Sequence, residues 1–302
     1  MRVFAKVVEH GSFAKAAQAL DMSNTVVTRN LADLETHLGT RLLNRTTRKL
    51  SLTETGQQYL ERVKHILADI DDADALASSS AQKASGTLRI YCHTSFGQSQ
   101  LAELLPVYAQ AMPDVVLDVT LAEDMVDLVA GGFDVGILLG VQRFDATMIA
   151  RRLARSKLVL CASPSYIARE GEPQVPTDVS DHKCLNFALE QIRHSWPLAF
   201  DSDSSAKGEI PITPRMVSNN GVILRRACLA GLGIMVRTSF TLEDDLSSGR
   251  LVRLLKDYNL GVMPINLVYP SRRLMSYKVR SFVDFMSAQF PHPESDPWLE
   301  QV

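Results

Sequence analysis

Residues 12–38 hold two helix signatures separated by only three residues, and that spacing confines the start of this chain to a tight helical pair. Ser12 is a good N-cap and is followed by Phe13-Ala-Lys-Ala-Ala-Gln-Ala-Leu20, rich in the best helix former. Phe13, Ala16, Ala17 and Leu20 share one face at helical period. Asp21-Met22-Ser23 breaks this helix, and Ser23 caps a second one predicted to run to about Leu38, where Gly39 stops it. On the second helix Val27, Leu31, Leu34 and Leu38 recur every three or four residues and are expected to face the core. The opposite face presents Asn24, Thr25, Thr28 and Arg29. Two short helices, a tight turn and a small Ala-Ala contact make a helix-turn-helix over about residues 13–32.

A second helix with a buried apolar side and a small polar side near its N-terminus suits a DNA major groove. Arg29 is placed to pair with guanine or hold a phosphate, Asn24 to read adenine, and Ser23, Thr25 or Thr28 to meet a base or backbone oxygen. An ordinary helical hairpin explains the apolar positions equally well. It does not explain the segment that follows, Arg41-Leu-Leu-Asn-Arg-Thr-Thr-Arg-Lys-Leu-Ser-Leu52, which reads as a β-hairpin wing with Arg45, Thr46, Thr47 and Arg48 at its tip, facing phosphates. Charge supports the same end of the chain. Residues 1–58 carry eight Lys/Arg against five Asp/Glu, a net +3, and the whole chain is −2, which leaves −5 for the rest.

These residues resemble the DNA-binding domain of LysR-type transcriptional regulators from Phe4 through Gly56. The matching marks are Gly11-Ser12-Phe13, Ala16-Ala17-x-x-Leu20, Ser23, Val27-Thr28-Arg29-x-Leu31-x-x-Leu34-Glu35, Leu38-Gly39-x-Arg41-Leu42, Arg45-Thr46 and Leu52-Thr53-x-x-Gly56. Two departures stand out. The family commonly has Gln-Pro where this chain has Asn24-Thr25, at a base-reading position. Its first helix usually starts several residues earlier, so Met1 falls inside that helix.

From Thr53 to about Ala77 the pattern is one long helix. Leu60, Val63, Leu67, Ile70, Asp74 and Ala77 alternate by three and four residues, a seam of roughly three heptads. Pairing with a second copy is favoured over a helix lying on its own domain, because a symmetric operator needs two readers. Ser78-Ser79-Ser80-Ala-Gln-Lys-Ala-Ser-Gly86 has the composition of a hinge. The resemblance likewise implies a linker helix that joins subunits into a homodimer or homotetramer.

At 302 residues there is room for two or three domains of roughly 100–200 residues each. After Gly86, strand-like runs (88–92, 115–121, 133–139, 157–162, 184–187, 216–218, 234–236, 265–269) alternate with helical ones (98–110, 125–130, 219–230, 274–290). Alternation of this kind predicts an α/β domain with mainly parallel sheets, in two lobes sharing a hinge. Ligands in such sheets sit where strands end and helices begin. Two junctions qualify: His93-Thr94-Ser95-Phe96-Gly97 and Val217-Ser218-Asn219-Asn220-Gly221. Both offer hydroxyl, amide and backbone N–H groups suited to a carboxylate, and both are equally well read as plain helix caps.

The resemblance extends here through Gly86-Thr-Leu-Arg, Phe133-Asp134-Val-Gly-Ile, Ala230-Gly231-Leu-Gly233-Ile and Gly249-Arg250-Leu. It implies a two-lobed effector domain similar to periplasmic binding proteins, with Thr94, Ser95, Phe96 and Asn219/Asn220 bordering the pocket. Gly140 and Ser218 are further candidates, and Arg193, His194 and Trp196 could supply charge or stacking.

Other classes fit less well. Ser12-Phe-Ala-Lys15 and Ser80-Ala-Gln-Lys83 match S-x-x-K and Ser218-Asn219-Asn220 matches S-x-N, but the K-T-G partner of serine acyl-transfer enzymes is missing. The chain has no G-x-S-x-G elbow, H-E-x-x-H or P-loop, and its seven histidines show no ligand spacing, so neither catalysis nor a metal or other cofactor is expected. A solute-binding protein without a DNA role fits residues 87–290 but not the helix-turn-helix. The four cysteines (92, 161, 184, 228) form no C-x-x-C pair and are expected to be buried thiols rather than a redox sensor. Apolar runs are far shorter than the roughly 20 residues of a membrane span, and the N-terminus lacks a signal-peptide pattern, so the expected compartment is the cytoplasm.

The expected architecture is therefore α+β multidomain. Residues 1–58 form a winged helix-turn-helix and 59–85 a linker helix and hinge. Residues 86–292 form the effector domain (lobe I about 86–160 and 267–292, lobe II about 161–266), and 293–302 a disordered tail. The expected partners are double-stranded DNA and a small-molecule effector, with a carboxylate favoured, and RNA polymerase is a further candidate.

Overall fold

The computed structural model describes residues 1–46, 49–77, 84–123, 127–141, 147–199, 207–242, 244–271 and 275–299. The chain divides into two compact units, Met1–Thr87 with Ser276–Lys278, and Leu88–Met275 with Val279–Val302.

The first unit begins with α1 (Arg2–His10), α2 (Phe13–Ala19) and α3 (Asn24–Leu38). Ser12 accepts a hydrogen bond from Lys15 N and Ser23 one from Val26 N, so both predicted caps form. Gly39 closes α3 in the left-handed conformation, φ 65°. A hairpin follows, β1 (Leu43–Thr46) paired antiparallel with β2 (Lys49–Leu52), and then the long helix α4 (Glu54–Ala77). The core gathers Phe4, Val7, Ala16, Ala17, Val27, Leu31, Leu42, Leu43 and Leu60.

Three motif residues tie the wing to the helices. Glu35 Oε1 accepts from the backbone N–H groups of Leu42 (2.8 Å) and Leu43 (3.1 Å). Thr53 Oγ1 donates to the Arg41 carbonyl at 2.8 Å and accepts from Gly56 N at 2.9 Å. Position 56 must be glycine, because a Cβ there would collide with the Leu42 carbonyl.

Two expectations need correction in this unit. Leu38 is 37 % exposed instead of buried, because α3 outruns the core in its last turn. The seam of α4 is also differently used. Leu60 belongs to the unit's own core and Val63 is fully buried, whereas Ile66 and Ile70, four residues apart, are each 42 % exposed. The side chains of Asp74 and Ala77, and residues 78–83 of the expected hinge, lie outside the described residues.

The second unit opens with β3 (Gly86–His93), which leads into α5 (Thr94–Phe96), a π-helical turn (Gly97–Leu101) and α6 (Ala102–Ala111). Next come β4 (Val115–Ala122), β5 (Val135–Leu139), β6 (Met148–Ala162), α7 (Pro164–Glu170), β7 (Cys184–Phe187), β8 (Ser195–Ala199) and β9 (Lys207–Pro211). The rest is β10 (Pro214–Ser218), α8 (Gly221–Leu229), β11 (Ile234–Thr238), β12 (Val252–Leu254), β13 (Val262–Pro270) and α9 (Tyr277–Gln289).

The strand order is β10-β7-β11-β6-β13-β5-β3-β4, with β12 beside β6. The outer pairs β7/β10, β7/β11 and β3/β5 are parallel, but β6 runs antiparallel to β11, β12 and β13, and β13 antiparallel to β5. The expectation of mainly parallel sheets thus fails at the centre, where β6 belongs to both lobes. Its residues 148–157 pair with β13 in the first lobe, and its residues 158–162 pair with β11 and β12 in the second. The crossing falls between Lys157 and Leu158, and β13 has joined the first lobe by Val262, a few residues before the expected boundaries. The helix expected over 125–130 is a turn where it is described. There Asp127 Oδ1 accepts from the N–H groups of Val129 and Ala130.

The tail is the largest correction. Residues 293–299 are packed rather than disordered. Asp296 is buried and accepts hydrogen bonds from Lys157 N (2.6 Å) and Ser239 Oγ (2.8 Å). The Trp298 indole donates to Gln100 Oε1 at 2.7 Å and joins Phe96, Phe240 and Phe290 in one aromatic cluster. Glu294 pairs with Arg155 at 2.6 Å. The segment therefore runs across the hinge strand and touches both lobes.

Candidate functional site

In the first unit α3 turns Val27 and Leu31 fully inward and leaves Ser23, Asn24, Thr25, Arg29 and Asn30 exposed. Ser23 is occupied as the cap, and Thr28 Oγ1 donates to the Asn24 carbonyl at 2.8 Å. The Arg29 side chain is 82 % exposed and stands 3.8 Å from Asp33 Oδ2, a surface pair of the kind that holds a guanidinium only weakly. Arg29 is thus available to a groove or a phosphate. The structure adds Val26, 44 % exposed on the same first turn. Nothing in helical period separated Val26 from a core residue. In the wing, Arg45 and Thr46 belong to β1 by their backbones, their side chains lie outside the described residues, and so do Thr47 and Arg48.

In the second unit one strand-to-helix junction belongs to each lobe. The first lobe's segment 93–101 meets the turn 239–241, which directly follows β11. There Phe96 stacks edge-on against Phe240 at 5.5 Å, and Gln100 Nε2 donates to the Phe240 carbonyl at 3.0 Å. At the first junction His93 Nδ1 lies 2.9 Å from Ser95 Oγ and accepts from Ser95 N, capping the short α5. Thr94 and Ser95 are half-buried, but Phe96 is fully buried in the aromatic cluster. Phe96 is therefore corrected from pocket lining to core.

At the second junction Asn220 Oδ1 accepts from the N–H groups of Val222 (3.0 Å) and Ile223 (3.3 Å), and Ser218 Oγ accepts from Asn220 N at 3.1 Å. The capping reading holds there, so those two amides are not free for an anion. Asn219 is exposed. Gly140, at the end of β5, accepts from Asn266 Nδ2 at 3.2 Å, and Asn266 Oδ1 in turn accepts from Arg152 at 2.9 Å. Trp196 is buried in the second lobe's core with its indole N–H on Asn186 Oδ1 at 2.9 Å, and Arg193 and His194 are exposed, so the stacking role expected of Trp196 falls away.

One residue near the second junction escaped the sequence reading. Arg237, on β11, is only 6 % exposed, and its guanidinium lies against Gly221 and over the Phe187 ring at 4.9 Å. Burial lowers its pKa to about 10, with the Arg225 charge adding and Glu123 opposing, so it stays protonated near neutrality. Burial also holds His93 below the ordinary histidine value, with Glu123 opposing and Arg237 adding to the shift. Glu123 and Arg237 thus both act on His93, and Glu123 acts on Arg237. All four cysteines are buried, and desolvation pushes the Cys184 thiol up to about 12, the opposite of an activated thiolate.

Comparison with known families decides what these two units are. Residues 1–57 match the model of the bacterial regulatory helix-turn-helix protein, lysR family, and residues 81–291 match the LysR substrate binding domain. The chain belongs to the LysR family of bacterial transcriptional regulators. The regulator CrgA of Neisseria meningitidis serogroup C is 33 % identical over 287 residues, spanning 95 % of this chain and 94 % of that protein. A transcriptional regulator of Xanthomonas campestris is 35 % identical over 288 residues, 94 % of this chain and 83 % of its own. Among solved structures, CrgA from Neisseria meningitidis superposes with a TM-score of 0.62 at 32 % identity, covering 96 % of this chain and 97 % of that one.

As a LysR-type regulator the chain combines a DNA-binding head with an effector-binding domain, in a family whose members bind DNA and small molecules and form oligomers. No described helix is long and apolar enough to cross a membrane. The helix-turn-helix makes the alternative of a solute binder without a DNA role unfavoured.

Proposed function

We propose that this regulator reads its operator through the first turn of α3 and is switched by a small carboxylate bound between the lobes of its C-terminal unit. The observation that carries the reading is the two-sidedness of α3. Its Val27–Leu31 side is buried in the head, and its Asn24, Thr25, Val26 and Arg29 side faces solvent. Ser23 and Thr28 are assigned to backbone contacts and to holding the helix start, and Arg45, Thr46, Thr47 and Arg48 of the wing to phosphates. Thr94, Ser95, Gly140, Ser218, Asn219 and Asn220 are assigned to the effector side.

The cleft bears on switching through β6 and β13, the two strands that lead from one lobe to the other. A ligand drawn to both walls favours the closed arrangement by the difference in its affinity for the two, and no more than that. Closure then changes the spacing of paired DNA-binding heads. Footprinting of the full-length protein on its own upstream DNA, with and without each member of a carboxylate panel, tests the reading. The expected result is a two-half-site footprint whose length or bend changes with one carboxylate. A footprint and bend that no member alters would remove the switch, and absence of any footprint would remove the regulator.

A further inference from the structure

Arg237 has an unusual set of neighbours. Its Nε is buried without a hydrogen-bond partner among the described residues, although the residue as a whole is only 6 % exposed. A Cβ on Gly221 would collide with the two terminal guanidinium nitrogens, so the cation rests directly on the first residue of α8. That is the positive end of a nine-residue helix, where a cation is electrostatically disfavoured. The nearby Arg225 adds a like charge, and the fully buried Asp245 that could offset it is paired with Arg225 instead. The ring of Phe187 under the guanidinium offsets only part of the cost of taking that group out of water. A cation and a helix N-terminus pointing at one place are disfavoured together and become favourable when an anion joins them.

We infer that Arg237 is the specificity-determining residue of the interlobe site, its guanidinium binding the single carboxylate of a small, otherwise apolar ligand beside the start of α8. This rests on the reading of the cleft as the effector site and goes beyond it by naming the recognising group. One carboxylate is called for because this one buried cation is paired with no carboxylate among the described residues, the exposed Glu123 acting on it without a hydrogen bond or ion pair. The apolar body matches Val222 and Ile223, which the first turn of α8 leaves 44 % and 48 % exposed. Position 221 must then stay glycine, because any side chain would push the guanidinium away.

The test uses the full-length protein, with calorimetric titration of benzoate and of its neutral counterpart benzamide at constant ionic strength. R237Q and R237L are compared with R226A, which removes an exposed cation from the same helix. The expected result is benzoate binding by wild type and R226A, no comparable benzamide binding, and benzoate affinity lower by at least about tenfold in R237Q. R237L is expected to melt no lower than wild type, since a leucine there removes a buried charge without an ion-pair partner. If R237L does not fold, R237Q carries the test alone. Benzoate and benzamide binding alike, a wild type that binds neither, or wild-type benzoate affinity in R237Q would each overturn the inference.

A mobility shift on the same preparations separates the two levels. Duplex binding by wild type together with benzoate affinity indifferent to Arg237 sinks only this inference. Arg237-dependent benzoate binding by a protein that ignores DNA supports it and sinks the regulator reading.

Discussion

Replacing Asp296 with alanine tests the least expected feature of the fold, a C-terminal segment that straps the hinge. The carboxylate is 5 % exposed. It accepts from Lys157 N at 2.6 Å, from Ser239 Oγ at 2.8 and 2.9 Å, and from the N–H groups of Trp298 and Leu299 at 3.2 Å each. Hydrogen bonds to a charged group are worth about 1.5–3 kcal/mol each when buried. The Ser239 hydroxyl keeps Ser156 Oγ at 2.7 Å, so its loss is partial, whereas the Lys157 amide loses its carboxylate outright. The sum is about 2–4 kcal/mol, before any loosening of Trp298 from its ring cluster. For a unit of this size roughly 2–4 °C of Tm accompanies each kcal/mol, so the C-terminal transition should fall by roughly 5–15 °C in scanning calorimetry. Deletion of residues 293–302 should fall at least as far. An Asp296→Ala Tm equal to or above wild type would refute the strap and restore the disordered tail.

Four further outcomes follow from the same contacts. Leu31→Ala empties a fully buried position in the head and should cost about 2–5 kcal/mol in urea denaturation of that unit, and a loss below 1 kcal/mol would mean α3 is not seated as described. Gly56→Ala should abolish specific DNA binding through misfolding of the wing, read as loss of the head's thermal transition. His93 has a folded pKa below its unfolded value of 6.5, so the unfolded chain binds more protons below that pH. Stability should therefore fall as pH drops from about 6.5 toward the folded value, and His93→Gln should flatten that slope; an unchanged slope would place His93 in water. Arg45→Ala or Arg48→Ala should each reduce the slope of log K against log salt by about one phosphate contact, and an unchanged slope would take the wing out of the interface.

The head was readable from sequence because its determinants are local. Ser12 and Ser23 cap the helices they precede, and Val27 and Leu31 recur at helical period. What escaped depends on tertiary neighbours. The first half of β6 carries Arg151, Arg152 and Arg155, a composition that hides a strand unless one knows that β13 lies beside it. Arg237 stands in an apolar run, and only the approach of Gly221 and Phe187 shows that it is buried. The tail has the Pro, Ser and acidic content of a disordered segment, yet one carboxylate and one indole anchor it. The α4 seam has the expected period, but its first members, Leu60 and Val63, are buried rather than left for a partner. Its early positions are claimed by the head, which leaves Ile66 and Ile70 exposed. Phe96 and Trp196 show the converse, since aromatics expected to line a cleft are core.

The account stands or falls on the side of α3 that meets DNA, and Arg29→Ala measures this most directly. Binding of wild type and variant is compared on the best selected duplex and on a random one at the same salt. A base-reading Arg29 predicts a loss of about 1–3 kcal/mol on the selected duplex and much less on the random one. Equal losses on both would make Arg29 a phosphate contact, and no loss on either would contradict the assignment of this face to DNA.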